Sequence, residues 1–334
     1  MRILLAVVIF AASAWAGYWV LGSRAVTGSL ETWFDEREAE GWAVHVDDVS
    51  TTGFPNRFDT TLTDLDLADP DTGWAWHAPF FQILTLSYKP NHVIVVWPDR
   101  QQFATPHQTL SVTSDTLRGS VVVDDTQTLT LDRATVEFAR VGLASTADWR
   151  AALDGGQIAI RRTPLRENSY DLVLEARNLT LPRAVHGILA ESGLVGDTAQ
   201  GVRLDASVVF DRPWDRGAIE DRRPQPRSID LRLARATWGE LDLKIAGTLR
   251  VDPRGVPNGT LTVQATNWRE MLQLAEASRK ISPQVLRLLE RGFEALASLS
   301  GNPRSLDVPL RFQNGLVTVG GLLPLGPAPR LVLR

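Results

Sequence analysis

The 334-residue sequence contains no cysteine. Disulfide frameworks, thiolate metal sites and cysteine nucleophiles are therefore excluded together. A chain without cysteine is also compatible with an oxidising bacterial compartment, where a stray thiol is a liability. An excess of positive charge is missing as well, because the formal net charge is -4 and the pI is near 5.8. Without basic side chains in excess to neutralise phosphates, we expect no nucleic-acid partner.

The common catalytic and metal-binding patterns are also missing. There is no HExxH pair, Walker loop, GxGxxG turn after a strand or GxSxG elbow. The histidines are scattered, and the aspartates between Asp64 and Asp71 do not have the spacing of an EF-hand loop. Residues 69–73 (DPDTG) instead have the composition of a turn. We therefore expect no catalytic residue, no metal site and no cofactor, and a protein that is not an enzyme.

Charged side chains are absent from residues 3–21 near the N-terminus. As a helix this stretch would extend roughly 28 Å, close to the thickness of the hydrocarbon core of a bilayer. A cleaved signal peptide is the alternative, because residues 14–16 (AWA) provide small side chains at a suitable spacing. The continuing apolar character through Tyr18 and Trp19 favours an uncleaved signal anchor, or transmembrane helix, over residues 1–23.

The pattern changes twice after this anchor. Apolar residues first recur at helical spacing, which predicts a short amphipathic helix over residues 24–42. From residue 43 to residue 334 the period becomes two, as expected for strands with one wet and one dry face. Either interpretation of the N-terminus carries the residues that follow it across a membrane.

The clearest strand signals lie late in the chain. Alternating residues over 228–236, 241–251 and 261–263 predict an antiparallel meander. An Asn314-Gly315 turn predicts a hairpin in which Phe312 faces Val317 and Leu310 faces Val319. Other candidate strands cover residues 43–48, 57–68, 74–88, 92–97, 109–113, 116–124, 128–139, 157–161, 170–177 and 202–210.

Helices are predicted to be few and short. One is expected from Pro182 to Ala190, one after Asn267 and one after Pro283. The connection over residues 211–227, which carries both charge signs and three prolines, is expected to be a solvated loop.

Many strands and few helices leave apolar strand faces that the helices are too few to cover. The fold class is therefore predicted to be mainly β, with a large curved antiparallel sheet, a few short helices and the N-terminal transmembrane helix. Such a sheet either folds over on itself as a sandwich or barrel, or curves into an open groove whose dry inner face takes up an apolar ligand. Alternation alone predicts both equally.

Aromatic side chains are frequent, with eleven tryptophans in the chain. They suit either a packed core or a lipid-facing groove, because each supplies a large apolar area at low rotamer cost. The candidate ligand-binding residues of an apolar groove are Trp74, Trp76, Phe81, Trp97, Leu231, Leu243 and Phe312.

Several stretches are similar to a known family. They are residues 52–59 (TGFPNRFD), 76–79 (WHAP), 88–93 (YKPNHV), 312–320 (FQNGLVTVG) and 324–329 (PLGPAP). With the N-terminal anchor, they resemble the proteobacterial envelope family known as domain of unknown function 2125, a distant relative of the AsmA-like and YdgA-like proteins. The resemblance implies a single-pass anchor in the inner membrane and a β-rich domain in the periplasm. From the AsmA-like group it also implies a curved sheet with an apolar groove associated with phospholipid transfer. It implies no catalytic residues.

Two functions follow as expectations. The first is binding of lipid, including phospholipid, or of other apolar ligands in a β-groove, with a role in envelope lipid transport or homeostasis. The second is a non-catalytic structural or assembly module that binds other envelope proteins.

Overall fold

The computed structural model describes residues 1–124, 127–164, 166–182, 196–277, 283–300, 305–321 and 323–333. Within these residues the strands form one large antiparallel sheet of 18 strands. The prediction of a mainly β fold with an N-terminal apolar helix is thus confirmed. The helix predicted between Pro182 and Ala190 lies outside the described residues.

The helices of the described residues are α1 (Arg2–Ala39), α2 (Arg216–Glu220), α3 (Trp268–Ala277) and α4 (Pro283–Ser300). The first nine strands are β1 (Ala43–His45), β2 (Asp48–Thr52), β3 (Arg57–Asp69), β4 (Trp74–Leu86), β5 (Lys89–Val96), β6 (Arg100–Thr105), β7 (Gln108–Thr113), β8 (Thr116–Val123) and β9 (Leu131–Ser145). The other nine are β10 (Trp149–Arg162), β11 (Ser169–Thr180), β12 (Thr198–Phe210), β13 (Pro226–Trp238), β14 (Leu241–Val251), β15 (Pro257–Thr266), β16 (Ser305–Gln313), β17 (Leu316–Val319) and β18 (Leu323–Pro327).

The chain divides into two compact units. Unit 1 comprises residues 1–126 and 136–148, and unit 2 comprises residues 127–135 and 149–334. Strand β9 contributes residues to both units. The predicted boundaries at residues 23 and 42 stay predictions.

Helix α1 joins the predicted anchor and the predicted amphipathic helix into one continuous element of 38 residues. It ends two residues before Gly41, whose φ of 92° suits a glycine just after a helix. Its second half packs on β1, β2 and β3. There Phe34, which is 6% exposed, joins Leu62, Leu65 and Leu67 in a buried cluster. Unit 1 thus uses the end of the apolar helix to cover part of its own sheet.

The strands of unit 1 branch at two places. Both β1 and β2 pair with β3, and both β5 and β6 pair with β4. Strand β8 extends the first branch from β5, and β7 with β9 extends the second from β6. All of these pairings are antiparallel.

Unit 2 is a meander in which each strand from β10 to β18 pairs antiparallel with the next one. The predicted hairpin register is confirmed, because Phe312 pairs with Val317 and Leu310 pairs with Val319. The Asn-Gly turn fixes this register since Asn314 and Gly315 both adopt the positive φ that such a turn requires.

The connection over residues 211–227 is more structured than the prediction of a solvated loop. It contains α2, whose N-cap Asp215 accepts a hydrogen bond from the Ala218 backbone N–H. Ala218 is 4% exposed and Pro224 is fully buried. Trp214 packs edge-on against Phe210 with ring centroids 5.6 Å apart. Although its sequence carries charges of both signs, this connection is therefore held to the sheet by Trp214.

Candidate functional site

One face of the unit 2 sheet is apolar along whole rows of paired residues. One row runs through Ile158, Leu174, Leu204, Ala234, Ile245, Val263 and Val308. The next runs through Ile160, Leu172, Ala206, Leu231, Gly247, Leu261, Leu310 and Val319. Because paired residues point to the same side of a sheet, these rows form one continuous dry surface across seven or more strands.

The opposite face contains rows of polar residues. One of them runs through Arg161, Asp171, Ser207, Asp230, Thr248, Thr260, Arg311 and Thr318. On this face Arg232 links neighbouring strands, because its guanidinium donates to Asp205 Oδ1 at 2.5 Å and to Asp171 Oδ1 at 3.4 Å. Burial acts to raise the pKa of Asp171, but hydrogen bonds from Ser207 and Arg161 and the charge of Arg232 outweigh it, so this pKa is lowered. This polar face is therefore suited to contact with solvent.

Three buried clusters cover parts of the apolar face. In the first, Trp268 of α3 and Leu289 of α4 pack on Leu306 and Val308 of β16. The second is formed by Tyr170, Val208 and Phe210 together with Trp214. The third is formed by Leu249, Phe312 and Val317 with Ala328 of residues 328–333, which we call the C-terminal segment. Each cluster lies near an end of the strands that it covers.

Between these clusters lies a set of apolar side chains that we call the central strip. Its members are Ile158, Leu174, Leu204, Leu231, Ile245 and Val263. Ile158 is 45% exposed and the other five are half-buried. None of the six belongs to the three clusters formed by the described residues. The central strip is thus a part of the apolar face that lies outside the buried clusters formed by the described residues of unit 2.

The candidate residues predicted in unit 2 fall on this same apolar face. Leu231 belongs to the central strip. Leu243 packs against the cluster under α3 and α4, and Phe312 is 8% exposed within the cluster of the C-terminal segment. Leu174 and Leu204 were missed as candidates, although both stood in predicted strands. The alternation places them on the dry face, but the uncovered part of that face depends on where the helices pack.

The aromatic candidates predicted in unit 1 lie close together. Trp74, Trp76 and Phe81 all pack against the cluster of Leu62 and its neighbours that α1 covers. The Phe81 ring centroid is 5.4 Å from that of Trp76 and 5.6 Å from that of Trp97. The indole N–H of Trp76 donates to Gln101 Oε1 at 2.8 Å. These rings therefore pack with one another and with the side chains under α1, and their role in ligand binding stays a prediction.

Two histidines of unit 1 come near carboxylates on the exposed side of the sheet. His77 Nδ1 lies 2.8 Å from Asp66 Oδ1, and His45 Nε2 lies 3.1 Å from Asp47 Oδ1. Asp64 joins His45 and Asp47, with possible ligand atoms within 4.8 Å of one another. His45 and Asp47 are exposed, and salt bridges of exposed groups are of low energy. The expectation of no metal site stays a prediction.

The turn predicted at residues 69–73 is confirmed in its geometry. Asp69 Oδ1 accepts from the Asp71 N–H at 2.9 Å, and Asp69 Oδ2 accepts from the Thr72 hydroxyl at 2.7 Å. The hydrogen bond from Thr72 is the main reason that the pKa of Asp69 is lowered. This carboxylate is occupied by its own turn, as the sequence indicated.

The anchor end of unit 1 is held by aromatic donors of α1. Trp15 Nε1 donates to Pro55 O at 2.9 Å, and Trp19 Nε1 donates to Arg57 O at 2.7 Å. The Tyr18 hydroxyl donates to Ser87 O at 2.6 Å. These bonds satisfy carbonyl groups at the ends of β3 and β4. They also fix the helix to this end of the sheet at the point where its exposed apolar part begins.

Aromatic and apolar side chains remain exposed around that end. Phe54 and Tyr88 are 57% and 64% exposed, and Phe10 of the helix is 77% exposed. Helix α1 is long and apolar enough to cross a membrane. Exposed aromatic side chains beside such a helix are typical of a membrane interface.

These features define a class of protein, one that joins an N-terminal helix of membrane-spanning length to a large antiparallel sheet with one dry face. The chain belongs to the bacterial family described as "Uncharacterized protein conserved in bacteria (DUF2125)", whose model matches residues 19–329. A search of the curated proteins found none that matches the chain.

Proposed function

We propose that this protein is a non-catalytic, membrane-anchored carrier that holds lipid, including phospholipid, or another apolar molecule against the central strip. The observation that carries this proposal is the central strip itself, six apolar side chains that lie outside the three clusters formed by the described residues, with Ile158 45% exposed. Exposed contiguous apolar surface of this kind marks binding sites in soluble domains. An acyl chain would cover the strip without any specific hydrogen bond.

The apolar N-terminal helix favours a lipid over other apolar molecules as the ligand. A helix that suggests a membrane anchor keeps the sheet at a bilayer, which is a reservoir of acyl chains. We propose that the anchor lies in the inner membrane and that both units lie in the periplasm, where the protein contributes to envelope lipid transport or homeostasis. The AsmA-like relationship belongs to this proposal as well.

The test compares lipid carried by matched variants of the full chain. The double variant Leu174→Asn plus Leu204→Asn makes the central strip polar. The control is Val173→Asn, which introduces the same side chain on the opposite face of β11. After extraction in mild detergent and extensive washing, bound lipid is counted by mass spectrometry. We expect the wild type and Val173→Asn to retain lipid and the strip variant to lose most of it. Equal lipid in all three proteins, or a lipid-free wild type, would contradict the proposal.

The second candidate is a module that binds other envelope proteins. It is favoured by exposed apolar side chains on the last two strands, where Leu316 and Leu325 are 49% and 44% exposed. Crosslinking in membranes distinguishes the two. Protein adducts at Leu316 without lipid at the strip would favour this candidate.

A further inference from the structure

Three arginine side chains converge on a cavity of about 490 Å³ in unit 2. Arg250 belongs to the end of β14, Arg254 to the turn between β14 and β15, and Arg330 to the C-terminal segment. Amide side chains of Asn258 and Asn314 complete the polar part of the lining. The volume lies within the usual range for small-molecule sites. The cations thus come from three separate parts of the chain.

Backbone hydrogen bonds hold the segment that carries Arg330. The Leu331 N–H donates to Gly255 O at 2.8 Å, and the Ala328 N–H donates to Gly315 O at 2.8 Å. Gly255 has a φ of 81°, and a Cβ atom there would lie 3.2 Å from Leu331 O. Glycine therefore allows both the turn and the close approach of the C-terminal segment. Arg330 is fixed beside the two turns by main-chain contacts.

The negative charge in this cavity is already engaged. Asp252 is the single carboxylate of the lining, and its Oδ1 accepts from the Val256 and Arg254 backbone N–H groups at 2.9 and 2.8 Å. Its Oδ2 forms an ion pair with Arg254 Nε at 3.6 Å. These bonds, that of Val256 foremost, lower the pKa of Asp252, which therefore stays ionised in its turn. Among the described residues, neither Arg250 nor Arg330 forms an ion pair with a carboxylate. The cavity is left with a positive excess and with free guanidinium donors.

We propose that this cavity binds a phosphate group. Guanidinium groups match phosphate oxygens with paired N–H donors, and amide side chains add neutral donors. Two sources share this chemistry, the headgroup of a phospholipid and free phosphate. The site does not depend on the lipid carried at the central strip, because it is argued from charge and hydrogen-bond donors alone.

The test removes the charge of the two unpaired arginines in the full chain. Arg250→Gln with Arg330→Gln is compared with Arg100→Gln plus Arg150→Gln, a matched pair of exposed strand arginines outside the cavity. The probes are inorganic phosphate, phosphatidic acid and a diacylglycerol with the same acyl chains, each titrated in detergent micelles. Melting curves confirm that both variants fold, and the two single variants serve as a second set.

We expect phosphatidic acid to bind the wild type about tenfold more tightly than the diacylglycerol. The cavity variant should lose that preference, and the matched pair should keep it. Displacement of phosphatidic acid by equimolar inorganic phosphate would identify free phosphate as the source, and resistance to it would identify a headgroup. A preference that survives in the cavity variant, or no binding of either phosphate-bearing probe, would overturn the proposal. A wild type that binds phosphatidic acid but not the diacylglycerol would contradict the lipid-carrier proposal and would support the phosphate site.

Discussion

Ile158 and Val308 lie in the same row of the same face of the unit 2 sheet, yet Ile158 is 45% exposed and Val308 is 4% exposed. The difference comes from helix α4, which packs on β16 at one end of that row. The sheet itself offers equally apolar residues along the whole row. What differs is how far the described residues cover the row, and the more exposed end is where a guest molecule gains the most by binding.

The largest effect is expected at the covered end. Trp268, which is 2% exposed, fills the cluster beneath α3 and α4. Replacing it with alanine leaves a cavity and should lower the free energy of unfolding by about 3–5 kcal/mol. Ile158→Ala, at the open end, should cost no more than about 1 kcal/mol. Chemical denaturation measures both, and similar losses would show that the two ends are equally packed.

A second effect concerns ligand binding instead of folding. Leu204→Asp places a charge in the central strip, which an acyl chain is unable to solvate. We expect the affinity for a fluorescent fatty acid to fall about tenfold or more. Asp205→Asn, on the polar face of the same strand, is the control and should leave the affinity unchanged. Unaltered binding by Leu204→Asp would remove the strip from the ligand site.

The third effect tests the polar face. Because the pKa of Asp171 is lowered on folding, its stabilising contribution is present at neutral pH and is lost as the pH falls from about 4 through the folded-state pKa. Asp171→Asn should therefore reduce stability by about 1–2 kcal/mol at pH 7, and the gap to wild type should close in acid. Asp230→Asn, an exposed carboxyl in the same row, is the control. A stability difference between wild type and Asp171→Asn that grows as the pH falls would contradict the predicted direction of the pH dependence.

The smallest effect concerns the anchor end of unit 1. Spin labels on Phe54→Cys and Tyr88→Cys, in a chain without other cysteines, should report a headgroup environment in bilayers by their accessibility to oxygen and nickel. Phe103→Cys is the control because Phe103 lies on β6 and pairs with Trp76, near the end of β4 opposite to the turn that carries Tyr88. Equal accessibility at all three positions would contradict contact of this end with the membrane.

The sequence predicted those parts of the fold in which one local signal is sufficient. Alternation located most strands, and the Asn314-Gly315 turn fixed the pairing of Phe312 with Val317. Strand β6 was missed because its buried position is occupied by Gln101, a polar residue that accepts a hydrogen bond from Trp76. Strand β18 was missed because it contains two prolines and a glycine, which are unfavourable in strands.

The sites were less predictable because they depend on long-range packing. Leu231 was recognised as apolar and lies in the central strip, whereas Leu243 and Phe312 share its pattern and are covered by helices or by the C-terminal segment. The arginine cavity was not predicted, since Arg250 and Arg330 are 80 positions apart and only the fold brings them together.

The most direct test of the central claim is the reactivity of single cysteines on the two parts of the apolar face. Leu204→Cys and Val308→Cys are treated with a maleimide in delipidated full-length protein and again after phospholipid is added. We predict rapid modification of Leu204→Cys that phospholipid slows, and slow modification of Val308→Cys in both states. A cysteine at 204 that is as protected as the one at 308 without any lipid would mean that the protein covers this face by itself, and the carrier proposal would be wrong.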